Sequence, residues 1–241
     1  MEIIKVKDYQ GLSEKACQII IDQIKGQKNP VLGLATGSTP EGLYQQLINA
    51  FRRGEVSFQQ AKTFNLDEYV GLPGSHSNSY RFYMQEKLFN HIDVPGNQTY
   101  LPHGNATDLE KECHQYEQLI RDAGNIDLQV LGLGLNGHIG FNEPGTAFDS
   151  KTHIVDLDMT TRKANARFFS SLDEVPEKAI TMGIGTIMEC KKIMLLVSGE
   201  KKAEAVNRLI NGTVTEEFPG SILQKHENVV LIADEGALST L

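Results

Sequence analysis

Asn136, His138 and Glu143 fall within one short stretch, Gly132-Leu133-Gly134-Leu135-Asn136-Gly137-His138-Ile139-Gly140-Phe141-Asn142-Glu143-Pro144. A loop can bring that carboxylate to that imidazole. The carboxylate would fix the ring's tautomer and favour its protonated form, which makes a proton shuttle. A structural histidine tying down the loop explains the same residues, and a metal site is a third reading. The spacing is not HExxH, however, and His76, His91, His103, His114, His153 and His226 form no ligand pattern. Asp67 and Glu68 follow the apolar run 63–66. Acidic pairs often cap solvated turns, but a partly desolvated Asp67 at a strand end can act as a general base. Thr36-Gly37-Ser38-Thr39-Pro40 follows another run, 31–35. Its glycine allows close approach, its hydroxyls donate, and the helix it opens offers free N–H groups, which together suit a phosphate. An ordinary capped turn is the alternative. Without Gly-Lys-Ser/Thr it is not a nucleotide P-loop.

Two cationic features stand out in a chain whose 23 Lys and Arg against 31 Asp and Glu give a net charge of −8. Arg162 and Arg167 sit beside aromatics in Thr161-Arg162-Lys163-Ala164-Asn165-Ala166-Arg167-Phe168-Phe169, and Lys201 and Lys202 open a helical stretch after a strand-like run. A lysine at a helix start opposes the dipole, which suggests a ligand; a solvated face is the plainer reading of both. Gly132, Gly134 and Gly137 also form a GxGxxG pattern. A dinucleotide fingerprint needs a helix to open at the third glycine, and Gly140, Pro144 and Gly145 argue against one. That pattern is read as a decoy.

These residues need a scaffold, and the apolar patterning supplies it. Runs at 31–35, 63–66, 128–133, 193–197 and 229–233 read as strands. Between them, 12–24, 43–51, 79–91, 107–123 and 202–210 carry helical spacing. Strands alternating with helices predict one α/β domain spanning 1–241, with a mostly parallel twisted sheet and helices on both faces. In such folds ligands bind beyond the carboxyl ends of the strands, and four of the five runs end in the chemistry-bearing segments described above. A 40% hydrophobic composition with 22 glycines is ordinary for a globular chain. Cys17, Cys113 and Cys190 show no CxxC pairing, which disfavours a disulfide framework or zinc site. No apolar run approaches the ~18 residues of a membrane span, and the start of the chain does not read as a signal peptide. A cytoplasmic protein binding neither nucleic acid nor membrane is expected.

With its motifs taken together, the chain resembles the glucosamine-6-phosphate deaminase family. The carriers are Gly33-Leu34-Ala35-Thr36-Gly37-Ser38-Thr39-Pro40, Phe64-Asn65-Leu66-Asp67-Glu68-Tyr69-Val70-Gly71-Leu72, the Asn136–His138–Glu143 stretch, the Arg162–Arg167 segment and Ile180-Thr181-Met182-Gly183-Ile184-Gly185-Thr186. The resemblance implies conversion of glucosamine 6-phosphate and water to fructose 6-phosphate and ammonia, without cofactor or metal. It implies Asp67 as the base at C2, His138 as the acid–base that opens the ring, and Glu143 orienting the imidazole. Asn136 stands where some members carry Asp, so charge in the relay would come from Glu143. Phosphate would be held by Gly37, Ser38, Thr39, Arg167 and Lys202. A 6-phosphogluconolactonase-like hydrolase and a non-catalytic sugar-phosphate sensor of the same fold are the alternatives. Residues 152–176 are a candidate lid. His153 and Val155 replace the Arg and Lys of members activated by N-acetylglucosamine 6-phosphate, and the chain ends soon after Asp234. Loss of that activation, and a monomer or small homo-oligomer, are expected.

Overall fold

The computed structural model describes residues 1–241 apart from 158, 160, 161, 164, 165, 167, 168 and 170. Its described strands are β1 (Glu2–Val6), β2 (Val31–Leu34), β3 (Lys62–Asn65), β4 (Asp67–Tyr69), β5 (Thr99–Tyr100), β6 (Leu128–Gly132), β7 (His153–Asp156), β8 (Lys178–Thr181), β9 (Ile193–Val197) and β10 (Val229–Asp234). The helices are α1 (Tyr9–Gly26), α2 (Glu41–Arg52), α3 (Tyr80–Lys87), α4 (Leu109–Asp122), α5 (Ile184–Met188) and α6 (Ala203–Asn211). Their starts follow local chemistry. The side chains of Asp8, Ser79 and Asp108 cap α1, α3 and α4 by accepting the N–H groups of Gly11, Phe82 and Lys111.

Seven strands form one parallel sheet in the order β1-β10-β9-β6-β2-β3-β5. Because both faces are covered, the inner strands are largely apolar, with Thr63, Asn65 and Gln129 as buried polar exceptions, and alternate residues feed two cores. Leu32, Leu34, Val130, Met194 and Ile232 pack toward α1, α2 and α3. Val31, Leu131, Leu195, Val197 and Leu231 pack toward α4, α5 and α6. From β2 the chain moves outward to β3 and β5, then returns through β6 to build the other half. The switch point therefore lies between β2 and β6, where such sheets open a crevice.

A second sheet, antiparallel and of three strands, was not anticipated from the sequence. Its order is β4-β8-β7, with Asp67 paired to Thr181 and His153 to Thr181 on the other side. Leu66 is the pivot between the sheets. Its N–H donates to the Leu34 carbonyl at 3.1 Å, and its own carbonyl accepts the Met182 N–H at 2.6 Å. One residue thus ends β3 in the large sheet and launches β4 into the small one. Among the described residues no helix is long and apolar enough to cross a membrane.

Candidate active site

The tips of β9, β6, β2 and β3, four adjacent strands, converge on a cleft of about 310 Å³. Gly37, Ser38, Thr39, Asp67, His138, Glu143 and Lys202 line it, together with Thr36, Tyr80 and Phe141. A larger cleft of about 790 Å³ lies outside the 36–39 turn and contains neither Asp67 nor His138.

Asp67 opens β4, and only 6% of its surface is exposed. Among the described residues no donor reaches its carboxylate. Burial, with the charge of Glu68 adding to it, pushes its pKa up to about 8. The group is therefore poised to take and release a proton near neutrality, as a general base must be. Glu68 does different work. It accepts the N–H groups of Tyr69 at 2.9 Å, Tyr80 at 2.8 Å and Arg81 at 2.9 Å, and so closes the start of α3.

Across the cleft, Asn136 joins His138 to Glu143. Its Nδ2 donates to Glu143 Oε2 at 2.7 Å, and that forces its Oδ1 toward the ring. Oδ1 lies 2.8 Å from His138 Nδ1 and also accepts the His138 backbone N–H at 3.2 Å. An amide oxygen only accepts, so Nδ1 carries the proton and Nε2 has the free lone pair. Glu143 Oε1 is 3.6 Å from Nδ1, close enough for charge but long for a hydrogen bond. Glu143 thus lies within ion-pair reach of the imidazole, while Asn136 makes the hydrogen bond to the ring and links Glu143 to it. Two of the three glycines of the apparent dinucleotide pattern serve this loop, while Gly132 ends β6. A Cβ on Gly134 would sit 2.3 Å from His138 Nδ1, and one on Gly137 would strike the Phe218 ring at 2.3 Å. No helix occurs between 133 and 152, so the decoy reading stands on geometry.

The 36–39 turn also departs from expectation. Pro40 caps α2, and the first N–H groups of that helix, expected to be free, are engaged. Glu41 N donates to the Ser38 carbonyl at 3.4 Å and Gly42 N to Tyr9 Oη at 2.8 Å. Among the described residues, the N–H groups of Gly37, Ser38 and Thr39 find no protein acceptor, so the free donors belong to the turn. Gly37 holds φ +90, which its lack of a Cβ permits. Lys202 ends a 3-10 turn and precedes α6; its Nζ donates to the Leu133 carbonyl at 2.6 Å. Burial lowers its pKa.

Arg167 lies outside the described residues. Arg162 instead braces the chain that follows it, donating to the carbonyls of Leu172 at 3.3 Å and Val175 at 3.0 Å. Tyr80 and Phe141 were not foreseen as cleft-lining residues; the β8 residue Thr181 holds Phe141 from behind, its Oγ1 accepting the Phe141 N–H at 3.1 Å. Tyr80 and Phe141 stack at 6.2 Å between ring centroids, and both contact Tyr69, with Phe169 against it too. The aromatic spacing between 69 and 80 was the available signal. No single motif contains it.

Fold and cleft define an α/β protein with an acid–base pair and an anion-ready turn at the switch point of a parallel sheet. The family model for glucosamine-6-phosphate isomerases and 6-phosphogluconolactonase matches residues 7–232, and the chain belongs to that family. A glucosamine-6-phosphate deaminase of Oceanobacillus iheyensis is 60% identical over 241 residues, covering 100% of this chain and 96% of its relative. Glucosamine-6-phosphate deaminase 1 of Bacillus subtilis is 52% identical over 239 residues, 99% of each chain. A solved structure described as a monomeric glucosamine-6-phosphate deaminase superposes with a TM-score of 0.97 at 51% identity, covering 100% of both chains. A 6-phosphogluconolactonase from Thermotoga maritima shares the fold at 20% identity, with a TM-score of 0.77.

Proposed function

We propose that the chain is a glucosamine-6-phosphate deaminase, releasing ammonia and fructose 6-phosphate from glucosamine 6-phosphate and water. The observation that carries this reading is a buried Asp67 that no described donor reaches, facing the same cleft as the His138–Asn136–Glu143 chain, with an open N–H turn and Lys202 beside them. The deaminase names of full-length relatives at 52% and 60% identity support it.

In this reading the phosphate rests on the N–H groups of Gly37, Ser38 and Thr39 and on Lys202, with Arg167 completing the pocket. His138 Nε2 takes the proton of the C1 hydroxyl and returns one to the ring oxygen, opening the sugar to its aldehyde. Asn136 and Glu143 stabilise the charged imidazole meanwhile. Asp67 removes the C2 proton; the electron pair left behind forms the C1–C2 double bond of an enolamine as the C1=O π pair moves to O1, which takes up the proton released by the neighbouring ammonium group. Return of a proton to C1 makes an imine at C2; water adds there and ammonia leaves. The substrate's ammonium group and Lys202 favour the ionised form of Asp67 in the complex.

A monomer in the cytoplasm is the simplest assembly, supported by the monomeric description of the solved relative. Val155 packs on the Tyr69, Leu157 and Ala179 cluster, and the His153 ring lies 2.7 Å from the Lys151 carbonyl. Both side chains are occupied structurally, so added N-acetylglucosamine 6-phosphate should leave the rate curve unshifted. Within the proposed lid segment 152–176, the register of β7 with β8 fixes His153–Asp156. Ammonia and fructose 6-phosphate should form when the purified protein meets glucosamine 6-phosphate. Hydrolysis of 6-phosphogluconolactone without ammonia release would overturn the reading.

A further inference from the structure

Three helices each send one tyrosine hydroxyl to the segment 35–39, two of them to the 36–39 turn and one to the strand end beneath it. Tyr44, on α2, donates to the Ala35 carbonyl. Tyr83, on α3, donates to the Gly37 carbonyl at 2.6 Å. Tyr9, the first residue of α1, lies 3.0 Å from both the Ser38 and Thr39 carbonyls while accepting the Gly42 N–H at 2.8 Å. Tyr9 reaches the turn because α1 and α2 meet closely at Gly42, where a Cβ would lie 2.2 Å from Ser13 Oγ.

A turn whose carbonyls at 37, 38 and 39 are engaged on one side leaves its N–H groups for the other. That is the arrangement found here: the N–H groups of Gly37, Ser38 and Thr39 have no acceptor among the described residues, and these residues line the catalytic cleft. A rotated peptide would instead present an oxygen to the anion. We infer that Tyr9 and Tyr83, with Tyr44 beneath them, are positioning residues that hold the turn in its anion-binding form. The phosphate end of the substrate is then recognised by a preorganised backbone, and the tyrosines never touch it. This inference rests on the phosphate-turn reading proposed above.

Tyr9 and Tyr83 reach the turn from its solvent-facing sides, so Tyr9→Phe and Tyr83→Phe remove one oxygen each without opening the core. Inorganic phosphate binding, followed by calorimetric titration, reads the turn without needing turnover. The double variant should bind phosphate ~10-fold more weakly than the parent, the scale of one or two lost hydrogen bonds. Its KM for glucosamine 6-phosphate should rise in parallel, with kcat within about twofold of the parent. A merely structural role would lower the melting temperature and leave both affinities unchanged, which would overturn the inference. So would a parent protein that binds no phosphate. Failure of the parent to release ammonia, with phosphate binding still lost in the variant, would count against the deaminase reading and for the tyrosine brace.

Discussion

Asp67 and Glu68 are neighbours on a three-residue strand and share a charge, yet β-strand alternation sends them to opposite surroundings. Glu68 meets the start of α3 and receives three backbone N–H groups, whereas no described donor reaches Asp67. Burial raises the pKa of both. For Glu68 the hydrogen bonds offset part of that cost and make the carboxylate a structural cap. For Asp67 no described group offsets it, and the carboxyl stays chemically active. A buried carboxylate is thus identified as a base less by its burial than by the absence of partners that would satisfy it.

Substitutions at the two positions should separate these roles. Asp67→Asn should cost ~10³-fold or more in kcat, within the range of a lost general base, with phosphate affinity kept. The same variant should be more stable than the parent. The folded state holds a proton on Asp67 up to about 8, while the unfolded carboxyl loses it near 3.8, so parental stability falls as pH rises between those values. The gain of Asp67→Asn in thermal unfolding should grow across that window and level off above it. Constant or reduced stability would contradict the burial account.

Asn136→Ala should lower kcat by roughly 10²-fold by freeing the imidazole, more than Glu143→Gln, which can still accept the Asn136 N–H. The reverse ranking would restore a direct Glu143–His138 hydrogen bond. Glu68→Gln turns a donor toward the α3 N–H groups and should lower unfolding free energy by about 1–3 kcal/mol in denaturant titrations. Its effect on kcat should be the smallest of the series. Because the Glu68 charge helps raise the Asp67 pKa, the rising limb of kcat/KM should also move to lower pH.

The large sheet was legible because strands buried on both faces are written as short apolar or β-rich runs; β2, β3, β6, β9 and β10 all coincide with such runs, although β3 and β6 carry polar residues. The small sheet was not. Asp67-Glu68-Tyr69 reads as a polar turn, and Lys178–Thr181 and His153–Asp156 are too short and mixed to signal pairing that is wholly long-range. Edge strands β1 and β5 escaped for similar reasons. Within the site, strand-tip logic located Asp67, His138, Lys202 and the 36–39 turn. The order of contacts around His138 was not legible, because loop spacing allows Asn136 or Glu143 to reach the ring. Nor could spacing reveal that α2's first donors are engaged, since Tyr9 arrives from a different helix.

The central claim is that Asp67 is an unsatisfied, burial-raised base, and its proton can be observed directly. Protein labelled with ¹³C at aspartate carboxyls can be titrated by NMR, with Asp67 assigned as the resonance missing from Asp67→Asn. That resonance should shift with a midpoint near 8. A midpoint in the ordinary aspartate range near 4 would contradict the account.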